Sequence, residues 1–255
     1  MKALTVVSIF IFLFFWEIFY WIFIKDPFLF SPPSRVFPTF FNIMTGRDPS
    51  FYLPADIIYS LYHYFHGFSV AVMLGVSLGL LMGYSKKFEA LISPIIEILR
   101  PIPPIAWIPI AILLLKLTHA AAAFIIFIGS FFPVLINTRS GVANVEIKYI
   151  EAAMTLGAKK SDILRKVVIP SAMPSIFTGI RVGSGVAWMC VVAAELFGVS
   201  AYGLGYQIEI ARLYHAPEVV LSYMLSIGLI GFLLDRFYRI LEHSLMKWRR
   251  GLVVE

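Results

Sequence analysis

Few residues in this sequence have the type and spacing to react with a ligand or to press on a partner. The most patterned group is Glu151-Ala152-Ala153-Met154-Thr155-Leu156-Gly157, followed nine residues later by Val167-Val168-Ile169-Pro170. Glu151 to Leu156 is a good helix former, and Gly157 is a natural helix stop because it accepts a left-handed backbone. Lys160 or Ser161 can open a second helix, which Pro170 is expected to end. The prediction is two short helices at an angle, forming a knob that can press into another protein.

A second group consists of ionisable and polar residues inside apolar stretches, where each is a functional candidate by default. Arg181 is expected to snorkel to the nearer membrane interface. Glu195 lies about 20 Å away by helix rise, too far for direct pairing; it either contacts solute or gates a mouth, or is a polar residue at the interface. Asn137 and Thr138 are further candidates for a translocation path. Pro103 and Pro104 belong to the run Leu99 to Pro109, where missing amide hydrogens free carbonyls. That run lines a path or kinks a helix for packing. Glu97 and Arg100, three apart, are expected to pair on one helix face, and Glu17 is expected to face another helix rather than lipid.

His63 and His66 have the spacing of two metal ligands, but the sequence offers no evident third, so both are expected to be interfacial histidines and no metal is predicted. No nucleophile, base and orienting group cluster in the sequence. No G-x-x-x-x-G-K-[ST] phosphate-binding loop occurs either. The expectation is a non-enzymatic chain without a cofactor, and any nucleotide that drives it must bind a separate polypeptide.

The elements that position these residues follow from composition. The chain has 255 residues, 60% of them hydrophobic and only 14% charged, with a mean hydropathy of +0.85. An average soluble domain is about half apolar and about a quarter charged, so this chain belongs in lipid. Its length suits six spans of about 20 residues, the number needed to cross ~30 Å of hydrocarbon. The predicted fold is therefore an all-α membrane bundle.

The first span, Leu4 to Ile24, lacks a cleavage pattern and is expected to be retained. An extended strap and a short amphipathic interfacial helix follow within residues 25–60. Further spans are predicted over Tyr62–Gly83, Leu91–Leu115, His119–Thr138, Ile176–Phe197 and Val219–Ile240. A Gly-rich and Tyr-rich segment lies over Val199–His215. Residues 1–55 thus form the first helix and strap, 56–240 the core with its polar loop at 139–175, and 241–255 a basic tail.

The net charge of +6 comes from residues in loops rather than from one dense patch, so membrane orientation is a better explanation than nucleic acid. Sorted by alternating loops, fourteen Lys and Arg fall on the side of both termini and the 139–175 loop, against five on the other. That places both termini and the loop in the cytoplasm. Gly75, Gly79 and Gly83 recur every fourth residue, as do Gly179 and Gly183, which predicts close helix packing within one subunit or across a dimer. The lone Cys190 excludes an internal disulfide.

The 151–170 spacing resembles the E-A-A-x-x-x-G-x9-I-x-L-P signature of permeases in binding-protein-dependent ABC importers. Val167 stands for Ile and Ile169 for Leu, each keeping a branched apolar side chain. Leu99-Arg100-Pro101-Ile102-Pro103-Pro104-Ile105-Ala106-Trp107-Ile108-Pro109, Phe132-Pro133 to Asn137-Thr138, Ala187-Trp188, Ala193-Ala194-Glu195 and Gly203-Leu204-Gly205-Tyr206 extend the likeness to the nitrate, sulfonate, taurine and bicarbonate branch. That branch also includes permeases for small organic molecules. His63 is a departure, since the branch commonly has arginine there.

The resemblance implies a type I importer permease whose loop docks on a cytoplasmic ATPase. Glu151, Ala152, Ala153, Gly157, Ile169 and Pro170 would build that element, the two alanines letting its helices approach, with Lys159, Asp162 and Arg165 near the ATPase. It implies a homodimer in the plasma or inner membrane, in contact with lipid, two ATPase subunits and an extracytoplasmic solute-binding protein, and working by alternating access. A self-contained secondary transporter or channel is the alternative.

Overall fold

A computed structural model describes residues 2–246; Lys247, Arg249 and Arg250 of the expected basic tail lie outside them. The first helix, α1 (Lys2–Phe19), runs into a π-turn over Tyr20–Ile24 and is followed by α2 (Pro33–Thr45). Four long apolar helices follow, α3 (Leu53–Tyr84), α6 (His119–Ala143), α9 (Ile169–Leu196) and α11 (Pro217–Leu245). Between α3 and α6 stand α4 (Lys86–Leu99), a 3-10 turn over Pro104–Trp107, and α5 (Ile108–Leu115). Short helices α7 (Ile147–Thr155), α8 (Lys160–Ile163) and α10 (Leu204–Leu213) complete the set.

Five helical stretches are long and apolar enough to cross a membrane, and the pair Lys86–Leu99 and Pro104–Leu115, bent by 87°, makes a sixth. The third span is thus broken rather than continuous from 91 to 115. Pro101, Pro103 and Pro104 have no amide hydrogen to donate, so a regular helix cannot pass through them.

Helix α6 is the centre of the bundle, packed between α3 on one side and α9 on the other. In lipid, apolar surface alone gives helices little reason to associate, and close packing must supply the attraction. Glycines permit it on both faces. A Cβ on Gly75, Gly79 or Gly83 of α3 would fall 2.5–2.9 Å from atoms of Val134, Thr138 or Val142 on α6. A Cβ on Gly179 or Gly183 of α9 would fall 2.7 Å from Asn137 Cβ or 2.9 Å from Val134 Cγ2. Both glycine stripes therefore pack inside one subunit. Gly67 continues the first stripe, with Ala123 O only 2.5 Å from its notional Cβ.

The strap is tied to the bundle by polar contacts. Glu17 on α1 accepts from the amide and hydroxyl of Ser34 on α2 at 3.1 and 2.8 Å. Ser222 on α11 donates to Val36 O at 3.2 Å, and Ser31 donates to Glu218 at 3.1 Å. Glu17 therefore does face another helix.

Two expectations are corrected. Pro170 does not end a helix: α8, a π-turn over Leu164–Val168 and α9 form one continuous rod. The wider π-turn just before Pro170 makes room for a residue that cannot donate in the ladder. Glu97 and Arg100 form no ion pair; Glu89 instead pairs with Arg139 across helices.

Valine at Gly79 is expected to push α3 off α6 and destabilise the fold by about 1–3 kcal/mol, whereas alanine at Gly228, with nothing within 4 Å of its Cβ, should change little. Thermal unfolding in lipid nanodiscs checks the pair.

Candidate functional site

The two ends of the bundle carry different chemistry. At one end, α7 and the start of the α8–α9 rod form a hairpin. Gly157 has φ +79°; its amide donates to Met154 O at 2.9 Å, and that of Ala158 donates to Ala153 O at 3.0 Å. These two bonds satisfy carbonyls that the helix end leaves free and turn the chain sharply. The turn thrusts out Leu156, 87% exposed, and Met154 and Ile147 on α7 are exposed as well. A recess of about 480 Å³ lies alongside, lined by residues including Tyr149, Ala152, Ala153, Lys166 and Pro170.

Glu151, Ala152, Lys159 and Arg165 are exposed, while Ala153, Asp162, Ile169 and Pro170 are half-buried. Asp162 pairs with Lys166 at 3.0 Å. The hydrogen bond from Lys148 to Glu146, with the attraction between the charges, holds the Lys148 ammonium above its ordinary range. The hairpin thus shows an apolar tip flanked by charged side chains.

At the opposite end, Glu195 is fully buried on α9. Ser60 on α3 presents its hydroxyl to both carboxylate oxygens at 2.8–2.9 Å and accepts from Leu204 N at 2.9 Å. Gly205 N donates to the carboxylate at 3.0 Å, and His63 Nδ1 lies 2.8 Å from it. His63, also buried, reaches His119 Nδ1 at 2.7 Å through its Nε2. Beside this set Asp56 accepts from Tyr223 at 2.7 Å and from Gln207 at 3.2 Å. One carboxylate thus joins α3, α9 and α10 directly, and α6 through the two histidines.

Glycines make the seat possible. Gly203, at φ +114°, would put a Cβ 2.3 Å from the Glu195 carboxyl carbon, and a Cβ on Gly205 would lie 2.4 Å from Val192 O. The turn leading there repeats the helix-end pattern of Gly157, with Gly198 N donating to Glu195 O and Val199 N to Ala194 O, both at 3.0 Å.

Several sequence expectations change here. Glu195 is not an interfacial residue, because donors on α3 and α10 enclose it. His63, expected at the interface, is instead buried against Glu195 and His119, while His66 is exposed and its Nδ1 meets Tyr62 O at 2.9 Å. Among the described residues no group of three or more His, Cys, Asp or Glu could hold a metal. Asn137, half-buried, donates to Pro133 O at 2.8 Å, while buried Thr138 has a hydroxyl with no hydrogen-bond partner; both sit in the seams facing the glycines. Pro103 is exposed and Pro104 half-buried. Arg181 pairs with Glu242 at 3.2 Å instead of only snorkelling. Ser60, His63 and His119 were not legible as partners of Glu195; the signal was the coincidence of a carboxylate in a span with a following Gly-x-Gly.

Comparison with known proteins gives this geometry its setting. Residues 71–247 match the family described as binding-protein-dependent transport system inner membrane component. An ABC transporter permease protein of Methanocaldococcus jannaschii is 45% identical, over 90% of this chain and 86% of its own length. The bicarbonate transport system permease protein CmpB of Synechococcus elongatus is 37% identical, over 74% of this chain and 68% of its own. In fold, the chain is similar to an inward-facing MetNI methionine ABC transporter structure, with a TM-score of 0.64 at 20% identity, covering 74% of this chain and 93% of that one. The chain belongs to the binding-protein-dependent inner-membrane permease family and is a multi-pass membrane component of an ABC importer.

Alanine at Glu195 would leave the donors on Ser60, Gly205 and His63 buried without their acceptor. A loss of about 3–5 kcal/mol is expected, seen as a lower unfolding midpoint of the purified permease.

Proposed function

We propose that this permease acts as half of a homodimer that carries a small solute inward by alternating access, driven by two ATPase subunits that dock on the 147–170 hairpin. The observation that carries this reading is the hairpin itself. A rigid left-handed stop at Gly157 presents an apolar tip, and the second arm continues without interruption into α9. Force applied at the tip therefore reaches the membrane core through a rod instead of a loose loop. Glu151, Ala152, Ala153, Gly157, Ile169 and Pro170 build the element, and Lys159, Asp162 and Arg165 face the ATPase.

Both termini and the hairpin are placed in the cytoplasm, where the excess of Lys and Arg belongs. The Glu195 cluster then lies at the extracytoplasmic end, where a solute-binding protein would deliver its cargo. The likeness to a bicarbonate permease supports a small solute of the bicarbonate, nitrate, sulfonate or taurine kind, or another small organic molecule. Pro103 and Pro104, at the break of the third span, and Asn137 and Thr138 further along α6 are the proposed path residues, with Glu195 bracing its outer end. Catalysis resides in the ATPase, not in this chain.

The test is Leu156→Asp together with Gly157→Val, in permease purified with its ATPase. Each variant is expected to fold but to lose ATPase association and solute-coupled hydrolysis by about tenfold or more. Full coupling in both variants would sink the reading, and so would solute accumulation in vesicles that contain the permease alone.

A further inference from the structure

The Glu195 cluster poses an electrostatic problem. Its carboxylate is fully buried, with buried Asp56 near enough to interact with it electrostatically. Among the described residues, no Lys or Arg comes within ion-pairing distance of Glu195, and His63 is its one basic partner. Leaving a carboxylate in such a place without a counter-charge is costly.

Proton placement offers two balanced arrangements. An ionised Glu195 can only accept, so His63 Nδ1 carries the proton between them. In the first arrangement His63 is neutral: its Nε2 accepts from His119 Nδ1–H, and the buried pair is negative. In the second, one proton has been added. His119 takes it from water on Nε2 and passes its Nδ1 proton to His63 Nε2. His63 is then an imidazolium donating to Glu195 on one side and to His119 on the other. His119 is exposed, so the chain runs without a break from solvent to the buried carboxylate.

We propose that Glu195, His63 and His119 form a proton-loaded clamp that fastens this end of the bundle more tightly when the extra proton is bound. The clamp joins four helices at the end opposite the hairpin, so the charge on one imidazole bears directly on how firmly they hold together. Other titratable groups around it are few. Asp56, His66, Tyr59 and Tyr62 come from α3. Tyr202 stacks on Tyr59 at 4.7 Å and on His119 at 6.5 Å, and Tyr223 on α11 holds Asp56. Among these, only the histidines have an ordinary range that brings a charge change between about pH 5 and 8.

The sign follows from linkage. Only the folded chain sets the extra positive charge against the buried carboxylate, so the stability it adds is full at the acid end and is lost as pH rises. Thermal unfolding of the full-length permease in nanodiscs, between about pH 5 and 8, reads this directly and does not depend on the transport reading. The wild type is expected to lose about 2–4 °C across that interval. His63→Arg supplies a permanent cation, and Glu195→Gln removes the negative charge while keeping the shape; both should flatten the slope. His119→Phe removes the acceptor for the second N–H, so the transition should move to lower pH. Equal slopes in the wild type, His63→Arg and Glu195→Gln would overturn the clamp, as would a His119→Phe transition at the wild-type pH. If His63→Arg fails to fold, the slope of Glu195→Gln decides alone.

Discussion

Helix association in a bilayer cannot rely on burying apolar surface, because lipid tails are as apolar as leucine. This bundle depends instead on how closely α6 can approach its two neighbours. Gly75, Gly79 and Gly83 bring α3 so near that side chains and backbone of α6 occupy the space of their missing Cβ atoms, and Gly179 and Gly183 do the same from α9. With α6 held on both faces, the remaining helices attach around a fixed three-helix core. The Glu195 cluster is hung from that core.

At one end the core terminates in a buried carboxylate. The glycines at 203 and 205 act in a different way from those of the helix stripes. They clear space for Glu195 and let the backbone of α10 donate to it. A carboxyl group becomes the joint between α3, α9 and α10, with α6 reached through His63 and His119. Such joints are directional, since each hydrogen bond fixes an angle as well as a distance. Small displacements of these helix ends therefore break specific bonds rather than sliding smoothly.

At the other end the same helix, α9, is extended by α8 through a π-turn into the hairpin. A single rod thus begins at Lys160, just past the turn that exposes Leu156, and carries Glu195 in its last turn. This connectivity suits the proposed coupling, in which movement at the hairpin would alter the opposite end of the bundle. A loop stopped by proline, as the sequence pattern suggested, would transmit less.

Much of this was legible from residues alone. Hydropathy period and length gave the spans, since the bilayer imposes about 20 apolar residues on each crossing whatever else the chain does. The left-handed stop at Gly157 and the close packing of the glycine stripes also followed from local chemistry. Other features required the folded chain. Whether the stripes faced a neighbouring helix or a second subunit, whether Pro170 ended a helix, and what enclosed Glu195 depended on contacts between residues far apart in sequence. Ser60, His63, His119 and Leu204 are separated from Glu195 by nine to 135 positions, and no periodic pattern links them. The sequence by itself determined where the chain must cross lipid and where it must turn, because those are properties of short segments. Tertiary structure alone decided which buried charge meets which donor, because hydrogen bonding acts over about 3 Å and only packing brings such partners within reach.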